Sequence, residues 1–139
     1  MTVISGIQTY IKNYSGLASG APVWVNFILN KPEYSIVPLP GAHIVSTDIN
    51  GNTLREFPFA FQLKESTADD PQRLANIGFF ESFSDWLDAQ TEAEDFPSIG
   101  AGKTPEKIEA LDHGYLFQQG ESGTGIYQVQ AKLTYEQAA

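Results

Sequence analysis

The chain has 139 residues, with 17 acidic against 8 basic side chains and a net charge of −9. One domain, residues 1–139, fits that length, and so negative a surface repels phosphate backbones, which argues against sequence-specific nucleic-acid binding. Without cysteine there are no disulfides or thiolate metal sites. No apolar run approaches a membrane span and no basic-then-apolar leader opens the chain, so no membrane partner is expected and a soluble intracellular protein is the default.

Residues 2–14 read as a short helix. Ile4, Ile7, Ile11 and Tyr14 fall at helical spacing, Thr2 suits the N-cap and Gly16 the C-cap. Residues 23–29 (VWVNFIL) are apolar on both sides, which predicts a strand covered on both faces or lying at an interface. Pro32, Pro38 and Pro40 make the next section extended but irregular. Residues 42–49 and 53–64 then flank Asn50-Gly51-Asn52, a hairpin turn because Asn and Gly tolerate positive φ. In the second arm Phe57, Phe59, Phe61 and Leu63 alternate with Glu56, Pro58, Ala60, Gln62 and Lys64. Pro58 has no N–H for a ladder, so that side of it should face an edge or a bulge.

The longest segment with one clear period is residues 71–95. At about 100° per residue, Ile77, Phe79, Phe80, Phe83, Trp86 and Leu87 share one half of a helix, and Glu81, Asp85 and Asp88 the other. Asp70 is placed to cap it, Pro71 suits its first turn, and Pro97 marks its latest end. Asn76 and Gln90 fall within the apolar arc. Either each is buried and bonded to nearby backbone, or this face, amides included, meets another subunit.

Residues 96–105, rich in Gly and Pro, read as an exposed loop. Residues 107–119 and 126–135 form a second hairpin around 120–125. In its last arm Tyr127, Val129, Ala131, Leu133 and Tyr135 alternate with Gln128, Gln130, Lys132 and Thr134, a polar and nearly uncharged outer face. The order predicts an α+β fold: a largely antiparallel sheet of two hairpins plus one strand, a short N-terminal helix, and one long central helix packed on a face.

The chemical candidates fail on their spacing. Gly100-Ala101-Gly102-Lys103-Thr104 resembles part of a phosphate-binding loop, but Pro97 stands where the first glycine belongs and Pro105 follows where a helix should begin. Asp48-Ile49-Asn50-Gly51-Asn52 has its glycine two positions too early for a calcium loop, and Phe59 replaces the bidentate glutamate. His43 and His113 have no second ligand at helical or hairpin spacing. No serine lies in a Gly-x-Ser-x-Gly elbow. The expectation is a non-enzyme with no catalytic residues, cofactor or metal.

Asn76-Ile77-Gly78-Phe79-Phe80-Glu81, Trp86-Leu87, Gln90, Phe96-Pro97 with its glycine loop, Gly114-Tyr115-Leu116-Phe117 and Gly125-Ile126-Tyr127-Gln128-Val129-Gln130 together resemble the minor capsid or tail proteins of tailed bacteriophages and prophages of Gram-positive bacteria. The resemblance covers essentially the whole chain, through structural residues rather than a diagnostic one. It implies a virion component at the head–tail junction or tail end: a tail terminator or completion subunit first, a tail-tube or other neck subunit second. Such subunits close a tail as a homo-oligomeric ring, typically six-fold, against tail-tube and neck proteins, after assembly in the host cytoplasm. Trp24, Val25, Phe27, Phe79, Trp86 and Gln90 are then the subunit-interface candidates, and Glu81, Asp85 and Asp88 the candidate acidic wall of a DNA channel. The alternatives are a non-catalytic acidic adaptor or protein-binding module of the bacterial cell and, third, a small enzyme using His43 or His113.

Overall fold

The computed structural model describes residues 2–41, 43–120 and 123–139. Helix α1 spans Val3–Ile11. Thr2 caps it reciprocally: Ser5 N donates to Thr2 Oγ1 at 3.1 Å and Thr2 N to Ser5 Oγ at 3.0 Å. The helix stops at Lys12 in right-handed geometry, four residues before Gly16, which is not the left-handed cap its position suggested.

Strands β1 (Val23–Val25), β2 (Glu33–Pro38), β3 (Ile44–Thr47), β4 (Thr53–Ser66), β5 (Lys103–Ala110), β6 (Tyr115–Gln119) and β7 (Thr124–Gln137) form one sheet, and helix α2 (Asp70–Glu92) links β4 to β5. The path is β1-β2-β4-β7-β5, with β3 added beside β4 and β6 beside β7. Among the described residues only the β1–β2 pair is parallel. The frame is the pair β4–β7, antiparallel from Thr53↔Gln137 to Ser66↔Thr124. Along β4 lie β3 at the Thr53 end and β2 towards the Ser66 end; along β7 lie β5 and then β6. The α+β arrangement with an antiparallel-dominated sheet is therefore present.

Four local expectations change. The strand expected over 23–29 ends at Val25, because Asn26 takes a left-handed φ of 56° and turns the chain out of the ladder. The stretch between Pro32 and Pro40 is not irregular. Glu33–Pro38 is a fully paired strand, its four residues from Glu33 to Ile36 buried, with the prolines confined to its ends. The loop expected over 96–105 is partly core: Pro97 and Ile99 are buried, and β5 begins at Lys103. The single arm expected over 107–119 is two strands, parted at 111–114, both paired to β7. Of the turn at 120–125, Glu121 and Ser122 lie outside the described residues, as does Ala42 at the start of the first hairpin.

The Asn50-Gly51-Asn52 turn forms as expected. Gly51 has φ 87°, and Asp48 Oδ1 accepts from Asn50 N at 2.8 Å and Asn52 N at 3.0 Å, so that carboxylate closes the turn. Pro58 also finds the place its missing donor requires. Glu56 N donates to His43 O, and Pro58 O accepts from Leu39 N. The donor-free side of Pro58 thus faces the gap where β2 has ended and β3 has yet to begin.

Both helices lie on one face of the sheet. Asp69, one residue before the expected Asp70, caps α2 by accepting from Gln72 N at 2.9 Å. Phe61 of β4 is the hub: its ring lies 4.5 Å from Phe83, 6.0 Å from Phe79, 6.1 Å from Phe80 and 5.8 Å from Tyr34. Phe59, Leu63, Tyr127, Val129 and Leu133 complete that face, as the alternation predicted. Each such side chain contributes about 1.5–3 kcal/mol by leaving water. Helix α1 closes the layer through Tyr10 and Tyr14, whose rings meet Trp86 at 5.1 and 5.2 Å.

Candidate functional site

The six interface candidates divide. Phe79 and Trp86 are half-buried within the chain's own core, stacked among Tyr10, Tyr14, Tyr34 and Phe83. Asn76 is 2% exposed; its Nδ2 donates to Ser66 O at 2.9 Å and its Oδ1 accepts from Gln72 Nε2 at 2.8 Å, so it ties the helix start to the end of β4. Gln90 is half-buried and donates to Asp95 Oδ2 at 3.0 Å. The aromatic face of α2 is therefore largely covered by the sheet and α1.

Trp24 and Phe27 are placed differently, on the sheet face away from the helices. The segment after β1 crosses that face, held by Phe27 N to Ser35 Oγ (3.3 Å), Leu29 N to Glu33 Oε1 (3.0 Å) and Lys64 Nζ to Leu29 O (2.8 Å). Trp24 Nε1 donates to the same Glu33 oxygen at 2.9 Å, and the Trp24 and Phe27 rings meet edge-on at 5.4 Å. Desolvation pushes the Glu33 carboxyl up, but the Trp24 indole, the Asn30 and Leu29 backbone N–H groups and the charge on Lys64 together hold it below its ordinary value. The result is a fixed platform presenting Trp24, Phe27 and Leu29 to solvent, at 39, 50 and 56% exposure; Val25, paired with Ile36, alternates to the helix side of the sheet and is half-buried. On the same face the buried amides of Gln62 and Gln128 bond to each other at 3.0 Å, and Gln128 Nε2 reaches Tyr115 Oη at 2.7 Å.

Glu81, Asp85 and Asp88 are all exposed on the outer face of α2. The helix then ends in Glu92, Glu94 and Asp95 with no basic residue in its last turn. Glu94 takes φ 57° there, while Glu94 N bonds to Thr91 O and Asp95 N to Gln90 O, a Schellman closure built on glutamate where glycine is usual. Negative charge at a helix C-terminus opposes the macrodipole. The acidic surface is thus maintained against two local preferences.

The two histidines sit on opposite flanks of the sheet. His43 precedes β3, its Nε2 2.6 Å from Arg55 Nη1. His113 lies beyond β5, in a shallow cleft of about 350 Å³ with Glu81, Ser84, Asp85 and Asp112. The two oxygens of Asp112 accept from Gly114 N at 3.0 Å and Gln130 N at 3.3 Å, tying it to the backbone. Among the described residues no three His, Cys, Asp or Glu side chains are grouped to hold a metal. The 100–104 segment leads into strand β5 rather than a helix, which removes the element a phosphate loop depends on.

One feature escaped the sequence reading: how the margins of the sheet are finished. At β1, Gln8 Nε2 of α1 donates to Val23 O at 2.8 Å. At β5, Thr91 Oγ1 of α2 accepts from Ile108 N at 3.1 Å and donates to Ile108 O at 2.8 Å. β5 also carries Lys103, Pro105, Lys107 and Glu109, residues that discourage edge pairing. β3 (IVST) and β6 (YLFQQ) have neither device. Both are exposed throughout, carry no charge and no proline, and among the described residues pair on one side only. Compared with known protein families and with curated proteins, the chain matches none.

Proposed function

We propose that this protein is a non-catalytic structural subunit of a tailed phage or prophage virion, a tail terminator or completion protein that assembles as a ring at the head–tail junction or tail end. The observation that carries the reading is exposed apolar surface beside a finished core. No buried side-chain polar atom among the described residues lacks a partner, yet Trp24, Phe27, Leu29, Ile44, Val45 and Phe117 are all between 39 and 56% exposed. Apolar surface left exposed in this way marks contact surfaces, and a ring subunit needs two different ones, one for each neighbour. The sequence resemblance supplies the setting, and the acidic outer face of α2 suits a wall past which DNA must move without adhering.

Light scattering over a rising concentration series, followed by negative-stain microscopy, tests this. The expected result is a shift from 15.3 kDa to a species several times heavier, with a ring in the images. A protein that stays at 15.3 kDa throughout and does not add to isolated tail tubes is not a ring subunit.

A further inference from the structure

The two unprotected strand edges lie at opposite corners of the sheet. β3 pairs with β4 at Thr53–Arg55, and β6 pairs with β7 at residues 125–128, which lie opposite residues 62–65 of β4. Their centres are separated by about nine residues along the long strands, roughly 30 Å, and they flank different central strands. Each has a one-residue register shift, between Ile44 and Ser46 and between Leu116 and Gln118, which twists the strand without covering it. The other two margins are closed by Gln8 and Thr91. A chain that blocks two edges with specific side chains and leaves two bare has a use for the bare ones.

We propose that β3 of one copy pairs with β6 of the next, so that the sheet continues from subunit to subunit. The occupant of each edge is a second copy of this chain, for three reasons. The two edges are matched in length, four and five residues, and neither brings a charge that the other would have to desolvate. Within one chain β3 runs parallel to β7 and β6 parallel to β4, so copies laid side by side with little rotation present the two edges antiparallel, the more stable pairing. One bare edge of each kind per chain is also the requirement for a heterologous, head-to-tail contact that can close. Joining opposite corners offsets successive sheets along their strands, the stagger that accompanies tilted strands in a closed sheet. This inference rests on the ring reading and names its joint.

The absence of native cysteine makes the test direct. Ser46→Cys in β3 and Gln118→Cys in β6 are prepared as separate proteins and oxidised alone or mixed. The mixture should give a covalent dimer of about twice 15.3 kDa, and each protein alone none. Val45→Lys and Phe117→Lys should each raise the concentration needed for assembly at least tenfold while leaving the circular dichroism spectrum unchanged. Dimers formed by either cysteine protein alone, or lysine variants that assemble like the parent, overturn the proposal. A parent that forms rings without the mixed cross-link removes this joint but keeps the ring. A parent that stays monomeric, gives no cross-link and does not add to isolated tail tubes removes both.

Discussion

Two glycines, Gly114 and Gly78, have opposite physical standing. A Cβ on Gly114, where φ is +80°, would lie 2.6 Å from Cβ of Phe80 and 2.9 Å from its ring, and Phe80 is fully buried. Gly114→Ala therefore meets both a left-handed backbone and a packed side chain. It should destabilise the fold by about 2–4 kcal/mol, combining backbone strain with overpacking. A Cβ on Gly78, in the middle of α2, would meet nothing within 4 Å. Gly78→Ala should instead stabilise by about 0.5–1 kcal/mol through helix propensity alone. Denaturant unfolding of the two variants decides the matter, and the same sign for both would refute the argument. If Gly78 is needed by the protein, the need lies outside the fold of a single chain.

At the scale of elements, the seam between α1 and α2 is the joint most open to pH. Tyr10 Oη donates to Asp95 O at 2.8 Å. Burial, opposed by a hydrogen bond with Gln90 and aided by the charge on Asp95, pushes its phenol from 10.0 up to about 12. Burial likewise raises Tyr14 and Tyr34. A phenol that keeps its proton longer in the fold than in the unfolded chain contributes fully below pH 10, and that contribution is lost as pH climbs towards 12. With solvent screening of a half-buried group, the loss for Tyr10 is about 1–2 kcal/mol. Stability measured by denaturant should be level from pH 8 to 9.5 and fall beyond 10, with a shallower fall in Tyr10→Phe. Identical slopes in the two proteins would show that the seam does not titrate as described. The elements themselves were unevenly legible. α1, α2 and the Asn50-Gly51-Asn52 hairpin were readable because their period or turn chemistry is local. β2 was hidden because prolines at both ends mask a strand whose partner, residues 59–64, lies far along the chain. The division of Trp24 and Phe27 from Phe79 and Trp86 was equally illegible, since which aromatic faces outward depends on what α1 covers. The bare edges depended on Gln8 and Thr91 closing the other two, a relation between distant residues that no local pattern carries.

For the whole molecule the acidic surface sets how it meets other charged chains. A chain at −9 has an ordinary reason to be acidic, solubility, and that alone would not place Glu92, Glu94 and Asp95 at a helix C-terminus. With Glu81, Asp85 and Asp88 they extend one sign of charge along a single helix, opposite the face that packs on the sheet. If that helix lines a passage for DNA, its charge sets how freely DNA moves, and reversing it should convert a passive wall into a binding one. Glu81→Lys, Asp85→Lys and Asp88→Lys combined change the net charge by two at each position, from −9 to −3. All three side chains are exposed, so the fold should hold, with each change within about 0.5 kcal/mol. The parent should show no retention of duplex DNA at 50 mM salt, whereas the triple variant should retain it and release it steeply as salt rises, because released counterions drive the binding. The comparison needs both proteins in the assembled state, since a passage concentrates the field that a lone subunit spreads. DNA binding by the parent, or none by the assembled variant, would mean that this helix faces elsewhere.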